Sequence, residues 1–220
     1  MPLLRVVSWN VRSLRDDSAG VAAFLRDLAP DVALLQEAPR LLGSTLSNAR
    51  LAHRAGLRRV VGGASAAGNL LLVARRVEVI DAHAVRLPKR PRLHRRGAVL
   101  AVLAVEGKRL GVLGTHLDLA PAARLDSATR LRAALPSEPP VIIGADLNDE
   151  PGSPTWQALS RGLLDLGHDL GPTFPQKQPR RRIDALLADP AYDVVVVSRP
   201  DPGPVTDHLP LVADLRLQRE

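Results

Sequence analysis

The chain has 220 residues, 45% of them hydrophobic and 24% charged, with no cysteine. A chain of this length buries roughly 70% of the surface it exposes unfolded, so one domain over residues 1–220 is expected, and it needs no disulfide or structural metal. The missing thiols exclude a cysteine nucleophile, a zinc–thiolate site and an iron–sulfur cluster. A formal charge of +7 favours a polyanionic partner, and an aromatic content of 2% leaves too few rings for a base-stacking platform.

The first apolar run, residues 3–9, carries Arg5 and stops at Asn10, which reads as a strand and not as a signal peptide. Asp16, Asp17 or Ser18 can then cap a helix to about Leu28, with Val21, Phe24, Leu25 and Leu28 on one apolar stripe and Pro30 enforcing the stop. Residues 31–35 form a second strand ending at Gln36-Glu37, and residues 41–53 a less regular helix. The glycine-rich segment 62–68 reads as a loop. Strands over 69–74, 98–105 and 109–115 follow, the last ending at His116. Next come a helix over 121–135 and a strand over 140–145 that stops at Asp146. Ser153-Pro154-Thr155-Trp156 starts a short helix through Leu159, with a capping hydroxyl and a proline at the first helical position. Strands over 183–187, 193–197 and 211–215 complete the chain, and residues 200–204 form a proline-rich loop.

Two packed sheets with helices on their outer faces account for this order better than an open parallel sheet, which needs a crossover helix between most strands. No stretch is long and apolar enough to span a membrane, so a soluble, cytoplasmic monomer is expected.

Polar residues sit where burial is expected. Asn10, Glu37, His116, Asp146, Asn148, Asp184, Asp207 and His208 lie within or at the ends of apolar runs, where each needs a partner. Taken singly they read as turn formers, helix caps and a satisfied core histidine. Together, at successive strand ends, they point to one shared edge. Carboxylates and amides without thiolates suit a hard cation, Mg²⁺ or Mn²⁺, with Glu37 the best ligand; His116 and His208 lack zinc-site spacing.

Six segments carry a family resemblance: Ser-Trp-Asn-Val-Arg (8–12), Leu-Leu-Gln-Glu (34–37), Gly-Thr-His-Leu-Asp (114–118), Ile-Gly-Ala-Asp-Leu-Asn-Asp (143–149), Arg-Ile-Asp (182–184) and Thr-Asp-His-Leu-Pro-Leu (206–211). In order and over nearly the whole chain, they resemble the signatures of the endonuclease/exonuclease/phosphatase superfamily. The resemblance implies a four-layer α/β/β/α sandwich of the DNase I-like kind, a divalent metal, and hydrolysis of a phosphoester at one rim of the paired sheets.

By that resemblance Glu37 ligates Mg²⁺ with Asn10 beside it, and Asp207 serves the metal or its surroundings. Asp146 orients or deprotonates the attacking water, and Asn148 donates its amide to a phosphate oxygen. His208 binds the phosphate or moves a proton, with Asp184 fixing its tautomer. His116 supplies a second donor or a general acid, and Glu78 or Asp118 could be its carboxylate partner. Arg12 stands where some DNA-repair members carry an aspartate, which argues against an abasic-site endonuclease.

The basic segment 86–96 and the cluster Arg180-Arg181-Arg182 read either as solvated surface or as phosphate-attracting flanks, with Arg12, Arg181 and Arg182 as substrate candidates. The expected function is a metal-dependent phosphodiesterase acting on nucleic acid. The rivals are a sphingomyelinase-like enzyme that cleaves a phospholipid or phosphoinositide headgroup, and a silent polyanion-binding protein; an anionic lipid or a phosphorylated small molecule is the other possible partner.

Overall fold

The structure, a computed structural model, describes residues 3–217. Its strands fall into two six-stranded sheets. The first contains, in chain order, β1 (Leu4–Asn10), β2 (Val32–Gln36), β3 (Arg58–Gly62), β4 (Leu70–Val73), and then β11 (Tyr192–Ser198) and β12 (Leu211–Leu217), in spatial order β11-β12-β1-β2-β4-β3. The second contains β5 (Glu78–Arg86), β6 (Gly97–Val105), β7 (Lys108–His116), β8 (Val141–Asp146), β9 (Leu164–Asp165) and β10 (Asp184–Ala188), in spatial order β5-β6-β7-β8-β10-β9. The outer layers are α1 (Ser18–Leu28) with α2 (Ser44–Arg54) on the first sheet, and α3 (Pro121–Ala134) with α4 (Pro154–Ser160) on the second.

Alternation along the strands produces the layers. In β1, Val6 faces the inter-sheet core with Leu34, Val112, Ile142 and Leu186, whereas Val7 and Trp9 face the helices with Val21 and Leu25. In β8, Ile142 points inward while Ile143 and Ala145 meet Leu131 and Trp156 of the second helical layer. Central strands buried on both faces need apolar residues at every position, which is why they read as continuous runs.

The local signals act as expected at most boundaries. Asp17 caps α1 by accepting from the N–H groups of Ala19 and Gly20, and Ser153 caps α4 by accepting from Trp156 N. Three expectations need correction. Helix α2 begins at Ser44, later than residue 41, and leaves Leu41 and Leu42 exposed. Residues 63–66 form a 3₁₀ turn inside the expected loop. β3, β5 and β9 were not legible: β5 is an edge strand with a mostly exposed pattern, and β9 has two residues.

The two sheets meet closely at Gly144, where a Cβ would lie 2.9 Å from Leu34 Cβ and 2.9 Å from Ser8 Oγ. Gln36 ties the sheets at the same place, donating from Nε2 to Leu34 O at 3.0 Å and to Gly144 O at 3.3 Å. This contact lies beneath the two strand ends, Asn10 and Asp146, that carry the site.

Candidate active site

Each sheet has one parallel pair, and the two pairs end at a common rim. β1 and β2 run parallel with Asn10 opposite Gln36, and β7 and β8 run parallel with His116 opposite Asp146. β10 is antiparallel to β8, so its first residue, Asp184, also falls opposite Asp146. The chain then leaves β2 through Glu37 and β8 through Asn148 with left-handed backbones, φ 51° and 52°. Such a turn strains a glutamate and suits an asparagine, and strain of this kind concentrates at functional sites.

Between β11 and β12 the chain returns to the rim in an irregular loop. Thr206 Oγ1 donates to Asn10 O at 3.0 Å, and His208 O accepts from Trp9 Nε1 at 2.9 Å. This irregularity lets the adjacent residues Asp207 and His208 both line one cavity of about 720 Å³ with Glu37, His116, Asp146 and Asn148.

Asp146 is the centre of the cluster. Its Oδ2 accepts from Asn10 Nδ2 at 2.8 Å and its Oδ1 from Asn148 N at 3.0 Å, and it lies 3.4 Å from His116 Nε2 and 3.9 Å from His208 Nε2. Burial favours its neutral form, but the two histidines and the hydrogen bonds from Asn10 and Asn148 hold its pKa below the ordinary value. His208 Nδ1 lies 2.9 Å from Asp184 Oδ2, and Phe174 packs on its ring at 4.7 Å. Burial opposes the imidazolium, yet the charge and hydrogen bond of Asp184, with Asp146 and Asp207, raise His208 to about 9.

His116 is the opposite case. Burial outweighs Asp146 and Glu37 and lowers its pKa to about 4, so it is neutral near pH 7. Its Nε2 lies 2.8 Å from Asn148 Nδ2, which also donates to Leu117 O at 2.9 Å. With the Asn148 amide as donor, the His116 proton sits on Nδ1, facing Glu37 Oε1 at 3.8 Å. His116 is therefore uncharged near neutrality, and the Asn148 amide faces His116 and Leu117. The carboxylates beside His116 are Glu37 and Asp146. Glu78 lies on the exposed edge strand β5, and Asp118 caps Ala120 N at 3.2 Å.

The arginine candidates divide. Arg181 lines the cavity, paired with Glu150 at 2.7 Å. Arg12 pairs with Asp207 at 3.2 Å and with Asp16 at 3.0 Å, in an adjoining groove shared with Lys177 and Arg180. Arg182 is corrected: it is buried, bridges Asp165 through two hydrogen bonds of 2.9 and 2.7 Å, and lies over the Trp156 ring at 4.5 Å. It precedes β10 and does not line the cavity. Arg96, the last residue of the basic segment, lines the cavity instead of lying in solvent. Thr173 was missed; its Oγ1 accepts from the backbone of Asp184 at 3.4 Å, and no sequence signal marks it.

The donor set fits a hard divalent cation. The Glu37 side chain is half-open to the cavity, and Asp207 Oδ1 is buried with no hydrogen-bond partner among the described residues, the state expected of an oxygen awaiting a cation or its water. Ligand atoms of Asp146, Asp184 and His208 also lie within 4.8 Å of one another. In that trio, however, His208 Nδ1 and Asp184 already satisfy each other.

A four-layer sandwich whose parallel pairs end on a shared rim is the DNase I-like architecture. The chain belongs to the endonuclease/exonuclease/phosphatase family, hydrolases of phosphoester bonds, whose model matches residues 7–208. No protein of curated function matches it by sequence. Its fold is similar to that of an endonuclease/exonuclease/phosphatase from Bacteroides vulgatus, at TM-score 0.83 and 19% identity over 99% of this chain and 100% of that one. It is also similar to a mannosyl-6-phosphatase of Bacteroides thetaiotaomicron VPI-5482, at TM-score 0.81 and 17% identity over 97% and 99%. TDP2 of D. rerio, complexed with single strand DNA product, matches at TM-score 0.80 and 16% identity over 98% and 100%. Among the described residues, no helix is long and apolar enough to cross a membrane.

Proposed function

We propose that the protein is a Mg²⁺-dependent phosphodiesterase that hydrolyses nucleic-acid phosphodiester bonds by in-line attack of water. The observation that carries this reading is Asp146, kept ionised although buried at the floor of the cavity, beside one charged and one neutral histidine. Its Oδ2 accepts the proton of the attacking water, the task of a general base that stays charged although buried. His208 donates through Nε2 to a non-bridging phosphate oxygen, and Asp184 holds the proton on Nδ1. Asn148 fixes the His116 tautomer, and His116 Nδ1 faces Glu37 at 3.8 Å.

Glu37, with Asn10 and Asp207 beside it, would hold Mg²⁺ or Mn²⁺, and the cation when bound neutralises charge that develops on the phosphate. Nucleic acid as substrate is supported by Lys177 and Arg180 in the groove that adjoins the cavity, where Arg12 is paired with Asp16 and Asp207, together with the net charge of +7. One observation favours a second reading: Leu41 and Leu42, 80% and 107% exposed, line the cavity mouth, as an enzyme acting on a phospholipid headgroup requires.

Turnover of plasmid DNA, single-stranded DNA, RNA, sphingomyelin and inositol phosphates at fixed salt and Mg²⁺ tests the choice. The proposal expects the nucleic acids to be cleaved fastest, with steep loss of rate as salt rises. Faster cleavage of sphingomyelin vesicles selects the lipid reading, and no turnover of any of them selects the silent binding protein.

A further inference from the structure

The cavity has a cationic wall that the hydrolytic cluster does not use. Arg96 stands immediately before β6, its side chain 12% exposed and its Nε buried without a hydrogen-bond partner. The nearest carboxylate, Asp118, is 3.8 Å away, beyond hydrogen-bond reach. Arg40, which follows β2 in the chain, reaches the same place: its Nη1 donates to Ala67 O at 3.4 Å, while a Cβ on Gly97 would lie 3.2 Å from the Ala66 carbonyl. Both arginines line the cavity with His94.

Two guanidinium groups held beside one loop repel each other. Burial is the largest influence on Arg96 and lowers its pKa against the pull of Asp118, Asp146 and Glu37; Arg40 lowers it further. A buried cation with an idle donor, set beside a second cation, is the arrangement that an anion completes, and a guanidinium fork matches two phosphate oxygens at once.

We propose that Arg96 and Arg40 form a subsite for a second, non-scissile phosphate of the substrate. This rests on the phosphodiesterase reading, which seats the first phosphate against Asp146 and His208. The second phosphate can come from the next nucleotide of a strand or from the other end of a bisphosphorylated sugar, and the experiment separates the two.

Binding to the metal-free enzyme, in EDTA so that no turnover occurs, is measured by calorimetry for two pairs: thymidylyl-thymidine against its 5′-phosphorylated form, and glucose 6-phosphate against glucose 1,6-bisphosphate. The added phosphate is expected to tighten binding by roughly tenfold or more in at least one pair, which identifies the source. That advantage is expected to fall to within about twofold in Arg40→Gln, a surface change, and in Arg96→Lys, which keeps the charge beside Asp118 but removes the fork. Equal affinities within both pairs, or an advantage kept by both variants, overturns the subsite. Turnover of thymidylyl-thymidine with Mg²⁺ is scored separately: its absence counts against the phosphodiesterase reading, while the binding ratios still decide the subsite.

Discussion

His208 Nδ1 and Asp184 Oδ2 lie 2.9 Å apart although one residue precedes β12 of the first sheet and the other opens β10 of the second. The pair closes the rim across the sandwich and sets the charge of the histidine. The folded pKa of about 9 lies above the ordinary 6.5, so the imidazolium and the stability it lends are complete below 6.5 and are lost as pH rises through about 9. Activity that requires this proton follows the same limb. Asp184→Asn removes the charge that raises His208, so the alkaline limb of kcat/KM moves toward acid and the rate at pH 8 falls on the order of 100-fold. An unmoved limb in the pH profile assigns the proton elsewhere.

Asp146→Ala is expected to lower kcat by roughly 10³-fold or more, because the water loses its base while phosphate binding by His208 remains. The same carboxylate accepts from Asn10 and Asn148 and is held below its ordinary pKa, so its loss also costs stability, and thermal unfolding of the variant is expected below the wild-type temperature. Retained turnover would remove the water-activating assignment.

Glu37 holds a half-open carboxylate on a left-handed backbone, 3.8 Å from His116. Glu37→Gln keeps its size and loses its charge. The Mg²⁺ concentration for half-maximal rate is expected to rise by about 10- to 100-fold, and EDTA to abolish turnover in both proteins. A Mg²⁺ titration with the same midpoint in both excludes Glu37 from the cation site.

The layers were legible because strands buried on both faces must be apolar throughout and must stop where the polar rim begins, as at Asn10 and Asp146. The positions that converge were legible only together: each alone reads as a cap or turn former, but polar residues stopping run after run mark the common edge on which the strands of a sandwich end. What the sequence could not show was direction. The left-handed turn at Asn148 sends its amide back to His116, and the last of three identical-looking cations, Arg182, turns inward onto Asp165 and Trp156. Edge strands such as β5 carry no burial signal, because only a sheet already formed gives them a partner.

The buried Arg182–Asp165 pair gives a test of that inward turn. Arg182→Leu leaves Asp165 without the two hydrogen bonds it accepts, and removes the cation from the Trp156 face. Breaking a buried pair from one side costs about 3–5 kcal/mol, and less here because Asp165 can reach solvent. A lower denaturation midpoint with unchanged KM is expected; a raised KM with unchanged stability restores Arg182 to the substrate.

Gly144→Ala tests whether the inter-sheet distance governs the site. The new methyl would lie 2.9 Å from Leu34 Cβ, an atom held by its own strand, so the sheets must separate to admit it. Overpacking of this kind costs about 1–3 kcal/mol. Asp146 lies two residues further along the same strand and bonds Asn10 across the gap at 2.8 Å, so separation stretches the link between base and metal-side amide. The denaturant midpoint is expected to fall with an unchanged slope, and kcat to fall with it. A stability loss with full kcat would show that the rim is held by its loops, through Trp9 with His208 and Thr206 with Asn10, and not by the packing of the sheets beneath it.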